Sequence, residues 1–369
     1  MKILHLINTL ESGGAERLVA DIAPAQASSG HSVTVAACSG RNAAFAVPLE
    51  KSGIEVIFLS VRGSPKNPLL IGRISALYDS LKPDTVHVHL FPAQYYAIAA
   101  SRLAKHKPVF VTTEHSSGNR RLGRPWWRVP ERAVYSRYSA IVAVGEDVAR
   151  IYAKWTGLGS KIRMIPNGLD VRAFSKPVDA GTRRKMRDSF GADERQRVIG
   201  WVGRLTPPKR PEDLIRAVCE LPEKYCAVLV GDGTLRKESE ALAESLGIGK
   251  RVKFLGDRSD IPELLAAFDA FVLSSDYEGF GLAAAEAMAA GVPLFLADVP
   301  ALRGIAGPAG RYFAPGDYRA LSAAIVQAAQ NPVGEKAGIE EGRARASRLD
   351  IAHCAEAYLR LYESLQGRR

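Results

Sequence analysis

The stretch AFVLSSDYEGFGLAAAEAMAAGVP, residues 270–293, decides the fold. AFVLSS is an apolar run of strand length, and LAAAEAMAAG is a helix-forming run closed by Gly291, which leaves DYEGFG as the loop between a strand and a helix. In an open parallel sheet, loops of this kind leave the carboxyl ends of strands and line the ligand crevice. Two carboxylates, Glu278 and Glu286, stand in this otherwise apolar, glycine-rich stretch. Glu278 falls in the loop at the crevice mouth. Glu286 falls about one and a half turns into the helix, on a face flanked by alanines that leave its reach open. A helix beginning near Gly281 presents free backbone N–H groups and a positive dipole end, a seat for phosphate oxygens. Gly279 and Gly281 let a ligand approach the backbone closely. A carboxylate only accepts hydrogen bonds, which suits ribose hydroxyls. The alternative for the pair is a helix salt bridge at Glu286 and a solvated loop position at Glu278.

The same alternation runs outward along the chain. In the first half, strand-like runs KILHLIN, SVTVAAC, IEVIFLS, TVHVHL, PVFVTTEH and AIVAV are separated by helical stretches such as ERLVADIAPAQ and LLIGRISALYDSLK. The runs are apolar on both faces, as in a parallel sheet covered by helices. KIRMIPNGLDV carries a proline and an Asn-Gly turn and marks a boundary. The alternation then begins afresh with RVIGWVGR, RPEDLIRAVCEL, AVLVGDG, VKFLG and IPELLAAFDA. The expected architecture is α/β: two Rossmann-like, doubly wound domains facing a central cleft, over residues 1–168 and 169–349, followed by C-terminal helices. Residues 350–369 form a final helix that packs back on the first domain.

Length and composition agree with two globular domains. The chain has 369 residues, 47% of them apolar and 24% charged, which excludes a disordered chain. It has no run of eighteen apolar residues, and MKILHLINTL lacks a small-residue cleavage site, so the chain is expected in the cytoplasm. Cys38, Cys219, Cys226 and Cys354 lack CxxC spacing and read as buried thiols rather than a disulfide framework or zinc site. Charge is uneven: the first 168 residues carry 21 Lys and Arg against 11 Asp and Glu, a net +10 of the chain's +11. Such a half attracts an anionic partner.

Two further loops carry chemistry. In WVGRLTPPKRPEDL, Arg204 and Lys209 follow the first strand of the second domain, on the crevice side, in a loop stiffened by Pro207 and Pro208. Two fixed cations there offset the charge of a leaving diphosphate without Mg²⁺; the alternative is ordinary surface charge. In LESGGAERL, Gly13 and Gly14 lie between the first strand and first helix, where paired glycines allow a phosphate or sugar to touch the backbone, or simply make a turn.

The run EGFGLAAAEAMAAGVP, with two glutamates separated by seven residues, resembles the signature of family 4 of the retaining glycosyltransferases (group 1), enzymes of the GT-B fold. The companions SGGAERL, IPNGLD, VGRL…K, VGDG, VKFLG and SSDYEGFGL follow in order, and the resemblance spans Met1 to about Phe313. It implies that Arg204 and Lys209 hold the donor diphosphate. By the same likeness Glu286 binds the ribose hydroxyls and Glu278 lies beside the donor sugar. Phe280, Gly281 and Leu282 contact sugar and phosphate through the backbone, Lys253 and Phe254 lie where the base rests, and Gly14 lies near the phosphates. His115, in TTEHS, matches a histidine near the reacting sugar; without the resemblance it reads as a core or surface histidine. Glu114 and Ser116 depart from the family, which commonly has an aspartate or small polar residue beside that histidine. The catalytic set implied is Glu278, His115, Arg204 and Lys209, with no metal and no cofactor.

Between HSSG and SAIVAV lies NRRLGRPWWRVPERAVYSRY. It holds Arg120, Arg121, Arg124, Arg128, Arg132 and Arg137 against one acid, Glu131, with Trp126, Trp127, Tyr135 and Tyr138 interleaved. Arginine recognises phosphate and tryptophan favours the membrane interface. The segment is expected to touch the anionic inner membrane surface and receive a lipid-linked glycan, as in enzymes resembling this one that build surface polysaccharide or lipopolysaccharide. The alternative is a helix whose tryptophans pack inward. Nucleic acid is not expected as a partner, because no nucleic-acid-binding motif accompanies the patch. Competing functions are a sugar-nucleotide epimerase or phosphorylase of the same fold, a non-enzymatic bilobal sugar-binding protein, and a catalytically silent partner subunit.

Overall fold

The computed structural model of the chain describes residues 1–11, 13–40, 43–61, 63–118 and 121–367. It divides into two compact units, Met1–Leu169 with Asp350–Arg369, and Asp170–Leu349. Among the described residues the first carries seven strands: β1 (Lys2–Ile7), β2 (Ser32–Ala37), β3 (Glu55–Phe58), β4 (Thr85–His89), β5 (Val109–Glu114), β6 (Ala140–Ala143) and β7 (Ile162–Met164). The second carries six: β8 (Arg197–Val202), β9 (Tyr225–Val230), β10 (Val252–Phe254), β11 (Ala270–Leu273), β12 (Leu294–Ala297) and β13 (Gly310–Phe313).

Every pairing is parallel, and the strand orders are β3-β2-β1-β4-β5-β6-β7 and β10-β9-β8-β11-β12-β13. The order reverses between β1 and β4 in one sheet and between β8 and β11 in the other. Loops leaving opposite faces at such a reversal diverge and open a groove, the usual ligand position in doubly wound sheets. The DYEGFG loop follows β11 and the Arg204/Lys209 loop follows β8, so both border the same switch point.

The central strands are buried on both faces, as the apolar runs required, with Trp201, Phe271 and Phe295 among the most enclosed side chains of the second sheet. Cys38, Cys226 and Cys354 are buried free thiols, whereas Cys219 is only partly buried, a correction to the expectation for all four. It lies in the helix Pro211–Glu220, one side of which faces solvent.

The helix Ile351–Gln366 belongs to the first unit. It lies against the helix Gly14–Ser28 and buries Tyr358 and Tyr362 completely. Gly168, in the IPNGL turn, makes this possible: a Cβ there would stand 2.7 Å from the Cβ of Cys354 and 2.8 Å from the Cα of Ile351. The chain leaves and re-enters the unit side by side, with Leu169 bridged to Asp350 and the Ile351 N–H donating to the Leu169 carbonyl at 2.9 Å. Among the described residues no helix is long and apolar enough to cross a membrane.

Candidate active site

In the second unit the two loops at the switch point are tied to each other through backbone and short side chains. Ser274 Oγ lies 3.1 Å from the Lys209 carbonyl and 2.7 Å from that of Arg210, and the Asp276 N–H donates to the Pro208 carbonyl at 2.9 Å. The SSD of the sequence therefore fixes the position of Lys209. Lys209 Nζ is 2.5 Å from Glu278 Oε1, which also accepts from Ser275 Oγ at 2.7 Å. The structure thus brings together two residues that the sequence placed in separate roles, and the Glu278 carboxylate holds the Lys209 ammonium in place.

Arg204, three residues beyond the buried Trp201, is exposed, and among the described residues no carboxylate pairs with its guanidinium. Arg210 is different. It sits in the left-handed region (φ 48°) and is bound to Asp213 (2.8 Å) and faces Asp276 (3.5 Å). Asp213, 1% exposed, also accepts from the Gly316 N–H at 3.0 Å and so braces the loop after β8 against the loop after β13. Arg210 and Asp213 were not singled out from the sequence. Their role is visible only once three chain-distant loops meet.

The helix Leu282–Ala290 starts at Gly281, whose φ of 88° favours glycine, and a Cβ there would lie 2.6 Å from Leu302 Cδ2. Its first N–H groups have no intrahelical acceptor. Phe280 is half-buried and Leu282 partly so at this end, and Glu286, one turn further, is 7% exposed. Lys253 and Phe254 end the edge strand β10, on the same edge of the sheet as the other loops because all strands are parallel. The Arg236 guanidinium lies 5.0 Å from the Phe254 ring centroid and donates to the Phe254 carbonyl at 3.3 Å. The glycines of VGDG have a packing cause: at Gly231 and Gly233 (φ 119° and 159°) a Cβ would come within 2.0 Å of the Gly203 carbonyl oxygen and 2.3 Å of that of Leu205. They let the loop after β9 press on the loop that carries Arg204.

In the first unit, Gly14 begins the helix Gly14–Ser28, and the space over it is open, with no described atom within 4 Å of an added Cβ. His115 follows β5 directly. The residue is partly exposed, its Nε2 lies 3.1 Å from His89 Nδ1, and its Nδ1 is buried without a partner among the described residues. Behind it lies a cluster that the reading of the sequence missed. His5 on β1 and His87 on β4 are register partners, and His89 stands two residues along on the same face. His5 Nδ1 is 3.2 Å from His89 Nε2, and His5 Nε2 is 2.8 Å from Gln26 Oε1. His87 bonds Thr113 Oγ1 and the Tyr362 hydroxyl, each at 2.7 Å.

All three inner rings are fully buried. Burial pushes the His5 imidazole down to about 4, against the opposing pull of its Gln26 bond. His87 and His89 fall well below the usual imidazole range, first by burial and then by the charge of neighbouring histidines, His5 and His115 acting on His87, and His87, His115 and His5 on His89. Burial likewise lowers His115, to about 3. Ligand atoms of His5, His87 and His89 lie within 4.8 Å of one another. All six nitrogens of these rings nevertheless already face a hydrogen-bond partner, which makes the cluster a hydrogen-bonded column of neutral rings.

Glu114, the departure beside His115, points to the other side of β5. It is 6% exposed and accepts from Gln94 Nε2 at 2.7 Å and from the Tyr135 hydroxyl. Burial raises its carboxyl pKa, opposed by those bonds and by Arg121. Its place in the sequence is explained by packing: it anchors the helix Pro125–Tyr135 to the sheet.

That helix divides the arginine and tryptophan set expected to act together. Arg121 is bound to the fully buried Glu131, which also takes the Trp155 indole N–H, and its guanidinium lies 4.3 Å over the Phe91 ring. Trp127 packs edge-on against Phe91 and Tyr95 at 6.1 and 6.3 Å. Arg128 Nε donates to the Trp155 carbonyl at 3.0 Å. Arg121 and Trp127 are therefore structural, a correction caused by the buried acid and the aromatic pocket. Arg124 is exposed, as are Trp126 (68%) and Val129 (76%). Arg120 lies outside the described residues.

Comparison with known proteins bears on the family and the fold. Residues 12–173 match the family model "Glycosyltransferase Family 4", and residues 182–345 match "Glycosyl transferases group 1". The chain is 28% identical over 309 residues to the putative glycosyltransferase EpsF of Bacillus subtilis, covering 80% of this chain and 79% of that one. It is 28% identical over 311 residues to the 2-deoxystreptamine glucosyltransferase of Streptomyces kanamyceticus, covering 81% and 75%. In fold it is similar to Anabaena Alr3699/HepE, solved in complex with UDP-glucose, with a TM-score of 0.88 at 24% identity over 99% of this chain and 100% of that one. It is also similar to WaaG, a glycosyltransferase involved in lipopolysaccharide biosynthesis, with a TM-score of 0.75 at 20% identity over 97% and 98%. The two sheets, the loops at their switch points and these likenesses together establish that the chain belongs to the family 4, group 1 glycosyltransferases, enzymes of the GT-B fold that take their sugar from a nucleotide donor.

Proposed function

We propose that the protein transfers a sugar, with retention of anomeric configuration and without a metal, from a nucleoside-diphosphate sugar to a hydroxyl of a lipid-linked glycan. The product belongs to surface polysaccharide or lipopolysaccharide synthesis at the inner membrane face. The observation that carries this reading is the meeting of Arg204, the Lys209–Glu278 pair and the start of the helix Leu282–Ala290 at one switch point. Arg204, Lys209 and the helix N–H groups stabilise charge on the departing diphosphate. Glu286 accepts from the ribose hydroxyls, Lys253 and Phe254 border the base, and Glu278 and the 280–282 backbone hold the sugar. The acceptor oxygen bonds to the anomeric carbon on the face from which the diphosphate leaves. The bond to the phosphate oxygen breaks, and that oxygen takes the acceptor proton. His115 faces the reacting sugar, and Gly14 leaves the backbone open to the phosphates.

UDP-sugars are the first donors to offer, since HepE was solved with UDP-glucose. Polyprenyl-diphosphate-linked glycans are the acceptors, in the presence of EDTA. The expected result is acceptor-dependent release of nucleoside diphosphate and an α-linked product from an α-linked donor. A β-linked product, or activity lost in EDTA and restored by Mn²⁺, contradicts the scheme. Epimerised donor formed without acceptor would favour the epimerase instead.

For the acceptor side, support comes from the exposed face of the helix Pro125–Tyr135, where Trp126 and Val129 stand beside Arg124, an apolar and cationic edge suited to an anionic interface. The triple variant Arg124→Ser, Trp126→Ser, Val129→Ser changes only exposed side chains. It is expected to lose roughly tenfold or more in co-sedimentation with phosphatidylglycerol vesicles. Equal sedimentation of variant and wild type would end the membrane reading.

A further inference from the structure

The column behind His115 has a direction. Gln26 Oε1 can only accept, so His5 Nε2 is the nitrogen that carries hydrogen. A neutral His5 then offers a lone pair at Nδ1, and His89 must donate to it from Nε2. His89 in turn offers Nδ1 as a lone pair, and His115 must donate from Nε2. The last ring is left with Nδ1 unprotonated, buried, and without a partner among the described residues.

We propose that Gln26, His5 and His89 are positioning residues that hold His115 in its Nε2–H tautomer, so that its Nδ1 lone pair receives a hydroxyl of the sugar substrate. The inference rests on the glycosyl-transfer reading for the identity of that hydroxyl, but not for the tautomer. Burial supports it, because neutral rings are required for the chain of donors to run one way, and the described side chains other than the histidines that hydrogen-bond to the column and its neighbour His87, or to their partners, are themselves uncharged. These are Gln26 from the helix Gly14–Ser28, Thr113 from β5, and Tyr358 and Tyr362 from the helix Ile351–Gln366. His87 meets Thr113 and Tyr362 rather than the relay, so it packs beside the column and does not pass a hydrogen along it.

The test is a long-range ¹H–¹⁵N correlation spectrum of the full chain labelled with ¹⁵N-histidine, without ligand, at pH 7.5. His5, His89 and His115 are expected as neutral Nε2–H rings. His115 found as the Nδ1–H tautomer or as imidazolium overturns the proposal. Gln26→Met removes the acceptor that sets the direction. It is expected to turn His115 into a mixture of tautomers and to lower kcat/KM for the sugar donor by about tenfold, the value of one hydrogen bond. An altered His115 tautomer with unchanged kcat/KM also overturns the proposal, as does an unaltered tautomer in Gln26→Met. Absence of transfer with the expected wild-type tautomers would sink the reaction reading alone and leave the relay standing.

Discussion

Arg204→Ala is expected to lower kcat/KM for the nucleotide sugar by about 10²-fold or more, with no change in unfolding midpoint. The size follows from removing a fixed donor aimed at charge that develops in the transition state. The silence in stability follows from the structure, since the Arg204 side chain is exposed and no described carboxylate depends on it. Lys209 behaves differently, because its ammonium is the partner of Glu278. Lys209→Ala takes the ammonium away from a carboxylate that faces the diphosphate, so its loss is expected to match or exceed that of Arg204→Ala. Adding Glu278→Gln to Lys209→Ala removes the repulsion but also the sugar contact. The double variant is therefore expected to lose less than the product of the two single losses. Steady-state kinetics of wild type, Arg204→Ala, Lys209→Ala, Glu278→Gln and the double variant reads this directly, and wild-type kcat/KM in Arg204→Ala would contradict the assignment.

The first unit is expected to lose stability steeply on acidification, starting below about pH 6.5, where unfolded histidines begin to bind protons. The folded pKa of His5 is lowered to about 4, and those of His87 and His89 lie well below the usual range. Across the window between folded and unfolded values the unfolded state binds more protons, so stability is fully present above about pH 6.5 and falls as pH drops toward the folded values. Each such histidine contributes a slope of up to about 1.4 kcal/mol per pH unit, and the three together up to about 4 kcal/mol per unit. Glu114 has the opposite sign, since burial raises its carboxyl and protonation relieves it, but it is one group against these three and His115, which burial lowers as well. Hydrogen exchange of the β1 and β4 amides between pH 7.5 and 5 isolates this unit from the other. His87→Phe is expected to be less stable at pH 7.5, because Thr113 and Tyr362 lose a partner, yet to show a shallower slope. A slope unchanged by that substitution would mean that His87 does not titrate between the two states.

Much of this was legible beforehand. The alternation of short apolar runs with helices fixed two parallel sheets, because a run apolar on both faces fits only a covered parallel strand. The switch-point loops could be placed for the same reason, since loop position follows from strand direction. Side-chain partners were harder. His87 and His89 show their two-residue spacing in TVHVHL, but that His5 joins them depends on β1 lying beside β4, a fact of strand order. Glu114 looked like a flaw in a motif because its partners, Gln94 and Tyr135, come from two separate helices. The arginine and tryptophan segment read as one surface, whereas a single buried acid, Glu131, and a pocket made by Phe91 and Tyr95 draw half of it inward.

The most direct measurement is a crystal structure of the protein with a bound UDP-sugar. The account predicts the diphosphate within hydrogen-bond distance of Arg204, Lys209 and the first N–H groups of the helix Leu282–Ala290, with Glu286 on the ribose. A nucleotide seated elsewhere, with the Arg204 and Lys209 side chains turned away from its phosphates, would contradict it.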